Sequence, residues 1–216
     1  MPSHSFQVPI SSTLGNVSAE LEETPKQKAL LILSHGAGAG MHHTFMKQLA
    51  VELAAQEIAT LRFNFPYIEK GRRMPHSQTS DMETIEGMIH TGHQVFPDLP
   101  LFVGGKSYGG RMTSQVMASA QSSFARGVIF FGFPLHPAGK PSMKRADHLK
   151  EVKLPMLFLQ GTNDALADIT LLENVCASLP FATLRKFKGS DHAFAKVPVR
   201  DLASETRQWM EPLLLL

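Results

Sequence analysis

Apolar positions along this chain fall into short continuous runs separated by stretches with helical spacing. Ala29 to Leu33, Thr60 to Phe65, Leu101 to Gly104, Val128 to Phe131, Met156 to Gln160 and Thr183 to Phe187 read as strands, most of them apolar on both faces. Strands buried on both faces imply a parallel sheet covered by helices. The intervals between them supply that cover. Phe45, Leu49 and Leu53, with Met46 and Ala50, form one apolar stripe, and Ser80 with Glu83 reads as a capping box ahead of Met82, Ile85 and Ile89. Met112 and Val116, then Leu171, Leu172, Val175 and Leu179, then Leu202, Thr206, Trp209 and Leu213 mark three further helices. Ahead of the alternation, Phe6 to Ile10 and Val17 to Glu22 flank the turn signal Gly15-Asn16, which predicts an antiparallel hairpin. The pattern predicts an α/β fold over residues 1–216 as a single domain, with a mostly parallel central sheet and helices on both faces. In open sheets of this kind the active crevice lies at the carboxyl ends of the strands.

Composition narrows the setting. A chain of 216 residues buries a full core without staples, and its single cysteine, Cys176, has no internal disulfide partner. The apolar runs are strand-length, no charged segment followed by a long apolar one opens the chain, and the expectation is a cytoplasmic protein without a membrane partner. Net charge is +2, and the basic residues are scattered apart from Lys70, Arg72 and Arg73 and from Lys140, Lys144 and Arg145. That distribution gives no stripe for a nucleic acid. His42 and His43 are adjacent rather than spaced as metal ligands, and no paired-cysteine or His-Glu-x-x-His motif occurs, so neither metal nor cofactor is expected.

The chemistry starts at Gly105-Lys106-Ser107-Tyr108-Gly109, set directly after the run Leu101-Phe102-Val103 and before a helical segment. This is a nucleophile elbow, in which a serine occupies a sharp strand-to-helix turn and small neighbours let strand and helix approach. A serine hydroxyl needs a base and an orienting acid. Asp164, beyond the strand Met156 to Gln160, and His192, beyond the strand Thr183 to Phe187, supply them in the order Ser, Asp, His that this elbow uses. Asp168 competes as the acid, but its place before Leu171 and Leu172 suits a helix N-cap better. Asp191 reads as a loop former and Cys176 as core. The glycine-rich stretch Ser34 to Gly40 follows another strand, and its small residues let backbone N–H groups approach a developing oxyanion. The oxyanion hole is assigned to the amides of Ala37 and Tyr108. Candidates for touching substrate are His35 in that stretch, Arg72 and Arg73 in the loop Pro66 to Thr79, and Phe133, which with Pro134, Leu135 and His136 would border an acyl pocket.

Three segments together resemble the α/β-hydrolase superfamily, in particular its small, cap-less dienelactone-hydrolase-like branch. They are His35 to Met41 with Phe45-Met46, Arg62 to Tyr67 with Gly71-Arg72-Arg73, and Gly104 to Arg111. The same segments resemble the predicted-hydrolase group related to testis-expressed protein 30 and to a subunit of the NSL histone acetyltransferase complex. The resemblance implies an α/β-hydrolase fold without a large cap, a Ser107, Asp164, His192 triad, and an oxyanion hole at Ala37 and Tyr108. Dienelactone hydrolases usually carry cysteine where Ser107 stands. The reading that results is a carboxylesterase-like serine hydrolase of a small acyl substrate, with a scaffold protein, a peptidase, a thioesterase or an acyltransferase as alternatives.

Overall fold

The computed structural model describes residues 3–119 and 124–215. One sheet of eight strands forms its centre, in the order β1-β2-β4-β3-β5-β6-β7-β8. β1 (Ser3–Ser11) and β2 (Gly15–Glu22) make the antiparallel hairpin, and β2 continues antiparallel to β4 (Ile58–Phe63). From β4 onward every pairing is parallel, through β3 (Ala29–Ser34), β5 (Leu101–Lys106), β6 (Ala125–Phe131), β7 (Met156–Gly161) and β8 (Ala182–Phe187).

Side-chain alternation divides the core into two layers. Leu31, Leu33, Phe102, Ile129, Phe131, Leu157 and Leu159 face α1 (Thr44–Ala55) and α6 (Val199–Met210), which contribute Met46, Leu49, Leu53, Leu202 and Met210. Their sequence neighbours Leu30, Ile32, Val103, Phe130 and Phe158 face the other way, toward α3 (Gln78–Val95), α4 (Tyr108–Ser119) and α5 (Ile169–Ala177). Both faces of β3 to β7 are therefore covered, which accounts for their continuous apolar character. β8 differs. As the edge strand it leaves Arg185 and Lys186 exposed, a polar edge that discourages pairing with other chains.

Helix starts depart from expectation in one place. Ser80 does not cap a helix; Ser77 does, its hydroxyl accepting the Ser80 N–H at 3.2 Å. The loop Pro66 to Thr79 contains a one-turn helix, α2 (Pro66–Glu69), opened by proline at its first position. A 3₁₀ segment, Lys144–Glu151, lies between β6 and β7, and no cap domain is inserted among the described residues. Asp168 caps α5 as expected, accepting from Leu171 N–H at 3.0 Å. No helix among the described residues is long and apolar enough to cross a membrane.

Candidate active site

β5 ends in the elbow. Ser107 adopts φ +51°, a left-handed conformation that costs energy for any residue with a Cβ. The surrounding packing holds it there. A methyl group on Gly105 would lie 2.6 Å from the Ser34 carbonyl oxygen, and one on Gly109 would lie 2.5 Å from the His35 carbonyl oxygen, so both positions exclude a side chain. The Ser107 amide donates to the Phe131 carbonyl at 3.3 Å, fixing the turn against β6.

The loops after β7 and β8 bring Asp164 and His192 to the same point. His192 Nδ1–H donates to Asp164 Oδ2 at 2.6 Å, and Ser107 Oγ–H donates to His192 Nε2 at 2.8 Å. This tautomer follows from the carboxylate, which can only accept when ionised. Asp164 is itself held: Gln160 Nε2 donates to Oδ2 at 2.5 Å and the Leu166 amide to Oδ1 at 2.7 Å. The Asp164 side chain is 0% exposed and that of His192 is 24% exposed, so the acid is sealed while the imidazole opens to the crevice. Asp168 lies apart from this chain as the α5 cap.

The amides of Ala37 and Tyr108, the expected oxyanion donors, lie in the loop after β3 and at the start of α4. Neither N–H has a hydrogen-bond acceptor among the described residues. Tyr108 opens α4, where the first amides lack intrahelical acceptors and the helix dipole favours negative charge. The Ala37 loop is shaped by left-handed glycines, Gly38 at φ +73° and Gly40 at φ +72°. Ser107, His192, Gly36, Ala37, Ala39, His43, Phe45, Met46, Lys106, Leu166 and Ala193 line a mainly apolar, open cavity of about 390 Å³. Among the described residues no group of three or more His, Cys, Asp or Glu side chains gathers where a metal could sit.

A sequence profile described as an alpha/beta hydrolase domain matches residues 27–211. The chain belongs to the alpha/beta hydrolase family. Its fold matches the dienelactone hydrolase from Anabaena variabilis at TM-score 0.79 and 18% identity, over 98% of each chain. Est1E from Butyrivibrio proteoclasticus superposes at TM-score 0.77 and 12% identity, over 98% of this chain and 99% of that one. An α/β serine hydrolase without a lid from Xanthomonas campestris superposes at TM-score 0.75 and 17% identity, over 98% and 96% of the two chains. This alpha/beta hydrolase thus shares the cap-less, dienelactone-hydrolase-like architecture.

Four expected substrate contacts lie elsewhere. His35 is 0% exposed and does not line the cavity. Its Nδ1–H donates to the Gly36 carbonyl at 2.7 Å and its Nε2 accepts the Phe65 N–H at 3.2 Å. Burial pushes its pKa down to about 4, so it is a neutral strut beneath the Ala37 loop. Phe133 is 0% exposed in the core against Phe130 and Phe158, because the chain turns inward at Gly132 (φ +76°) and its amide donates to Gln160 Oε1 at 2.8 Å. Its neighbours Leu135 and His136 are buried with it, His136 Nε2 accepting the Asp168 N–H at 2.8 Å. Arg72 and Arg73 are exposed and neither lines the cavity beside Ser107. Arg72 instead borders a small crevice with Tyr67, Lys70, His76 and Asp81, because α2 carries the loop toward the first turn of α3.

Three contributors escaped the sequence reading. Arg62, buried and ion-paired with Glu20 and Glu22, donates to the Met41 carbonyl at 3.0 Å, and Asn64 Oδ1 accepts the Met41 N–H at 2.8 Å; together they tether the end of the Ala37 loop. An arginine inside an apolar strand was the available signal for the first. Lys106 Nζ donates to the His192 carbonyl at 2.6 Å and sits 5.3 Å from the Phe194 ring centroid and 5.8 Å from that of Phe45. Burial lowers its pKa to about 8, opposed by Asp164 and Asp191. Lys106 thereby ties the elbow to the histidine loop. Asp191 shapes that loop by accepting the Ala195 N–H at 3.1 Å.

Proposed function

We propose that this protein is a serine hydrolase of the carboxylesterase type, acting on a small or exposed acyl ester through Ser107, His192 and Asp164. The observation that carries the reading is the unbroken hydrogen-bond chain from Asp164 through His192 to Ser107, ending at an open apolar cavity. Ser107 Oγ attacks the ester carbonyl carbon while His192 Nε2 takes its proton. Negative charge moves to the carbonyl oxygen, where the amides of Ala37 and Tyr108 donate to it. Each such donor is worth about 3 kcal/mol of transition-state stabilisation. Asp164 stabilises the imidazolium and holds its tautomer. Collapse of the intermediate breaks the ester C–O bond, and His192 returns the proton to the departing alkoxide. Water then adds to the acyl-enzyme by the same route, regenerating Ser107 and releasing the acid. The esterase preference is supported by the lack of an inserted cap among the described residues and by a cavity of about 390 Å³ that suits a small acyl or alcohol group. No cofactor takes part.

A panel of p-nitrophenyl esters graded in acyl length, run beside peptides and acyl-thioesters, tests the assignment. The expected outcome is highest kcat/KM for short acyl esters, abolished in Ser107→Ala. Peptide or thioester turnover with inert oxygen esters would overturn the esterase reading.

A further inference from the structure

Arg111 and Arg145 play no part in the chemistry above and are short of partners. Arg111 lies one turn into α4, its amide donating to the Ser107 carbonyl at 3.1 Å. Helical side chains lean toward the N-terminus, so this one reaches back toward the elbow end of α4. Arg145 is the second residue of the 3₁₀ segment Lys144–Glu151, which leads from the carboxyl end of β6 toward the start of β7, and it donates to the Pro134 carbonyl at 3.3 Å. The two elements run in the same direction and are joined by a 2.8 Å hydrogen bond between Ser114 Oγ and His148 Nε2. Arg111 and Arg145 each stand three residues before those partners. They therefore face one another at the crevice end of the molecule.

Each guanidinium carries several N–H donors, yet the Arg111 side chain donates to nothing among the described residues, and its Nε is buried without a partner. Arg145 makes the one bond to Pro134. The arginine ion pairs among the described residues involve Arg62, Arg185, Arg200 and Arg207, so neither Arg111 nor Arg145 has a carboxylate at ion-pair distance. Asp147, on the same 3₁₀ segment, acts on His148 and is in no ion pair among the described residues. Burial first, and then the Arg145 charge, pulls the Arg111 pKa down; burial and the Arg111 charge hold His148 neutral, with a pKa of about 4. Like charges brought together with unused donors and no counter-ion lose energy until an anion joins them.

We propose that Arg111 and Arg145 form a phosphate-binding subsite at the elbow end of α4, recruiting esters that carry a phosphate monoester group. The charge count selects this anion. Two fixed guanidinium charges are neutralised by a phosphate dianion, whereas a monocarboxylate leaves one unmatched. The substrate class rests on the serine-hydrolase reading; the binding site does not. Like Arg72 and Arg73, this pair lies outside the lining of the Ser107 cavity; it differs in being half-buried and fixed on α4 and on the segment packed against it.

Calorimetric titration of Ser107→Ala protein with methyl phosphate and with acetate separates the two. Methyl phosphate is expected to bind saturably and at least about tenfold tighter than acetate, and Arg111→Gln or Arg145→Gln in that background should each weaken it about tenfold or more. Arg200→Gln, which removes the same charge from an exposed site on α6, should leave the affinity unchanged. With Ser107 intact, an acylated glycerol phosphate should show higher kcat/KM than the neutral glycerol ester of the same acid, and either arginine variant should collapse that ratio toward one. Lack of methyl phosphate binding, equal affinity in the arginine variants, or acetate binding as tightly would overturn the proposal. Arginine-dependent phosphate binding in a protein that turns over no ester would uphold the subsite and remove the hydrolase reading instead.

Discussion

The loops after β3 and β8 each bring a histidine to the same end of the sheet, in surroundings that suit them to opposite uses. His35 is sealed, and both of its ring nitrogens are occupied by backbone groups of Gly36 and Phe65. His192 keeps 24% of its side chain exposed, and its partners are a buried carboxylate and a hydroxyl. A ring whose nitrogens are committed to amides and carbonyls cannot exchange protons during turnover, but it can hold a loop in shape. A ring between an acceptor-only carboxylate and a serine has one nitrogen free to take a proton. Residue type is shared; the partners differ, and they set the role.

Removing the chemistry should outweigh removing the scaffold. His192→Ala is expected to lower kcat about ten-thousand-fold or more, and combining it with Ser107→Ala should cost little extra, since the two act as a unit. Asp164→Asn should lose a comparable factor, whereas Asp168→Asn should change kcat less than about twofold, Asn being a comparable N-cap. Steady-state kinetics on one short ester checks both, and equal losses at the two aspartates would contradict the assignment. His35→Asn should act through loop placement: kcat down about a hundredfold or less, with KM much less affected, as for donors displaced by about 1 Å. A loss matching that of His192→Ala would show that the contrast between the histidines is misdrawn.

Smaller effects sharpen the same contrast. Lys106→Met removes the ammonium that holds the His192 carbonyl but keeps most of the stem, and should lower kcat about tenfold, the worth of one charge-assisted hydrogen bond. An unchanged kcat would show the loop is held without it. The His35 pKa, lowered from 6.5 to about 4 in the folded protein, also makes a stability prediction. A depressed folded-state value means the stabilisation is complete above about pH 6.5 and is lost as pH falls toward 4, up to about 3 kcal/mol. Denaturant melts across this window should slope downward in the wild type and less so in His35→Asn. Parallel slopes would place the acid sensitivity elsewhere.

What the sequence made legible was whatever depends on local pattern. The doubly buried strands, the Ser107 elbow, the Asp168 cap and the loops that carry Asp164 and His192 each leave a signal within a few residues. Direction of burial does not. Phe133 and His35 both follow a strand's carboxyl end, as catalytic residues do, yet turns at Gly132 and along the Gly36 to Gly40 stretch send them inward. Arg72 and Arg73 follow β4 and the short α2 helix, and the Arg73 carbonyl returns against Gly38, yet both side chains are exposed and outside the cavity lining. Ser77 and Ser80 are both competent caps by type, and only the backbone shows Ser77 outside the helix and Ser80 within it. The Lys106 tether and the Ser114–His148 bond that sets Arg111 near Arg145 join residues far apart along the chain, a relation no local pattern carries.

The central claim is that Ser107 is a nucleophile activated by His192. Labelling folded protein with a fluorophosphonate and locating the adduct by intact-mass and peptide mass spectrometry tests it most directly. The account predicts one adduct per chain, on the peptide bearing Ser107, formed quickly in the wild type, slowly in His192→Ala and not at all in Ser107→Ala. A folded wild type that stays unlabelled, or an adduct that persists in Ser107→Ala, would contradict it.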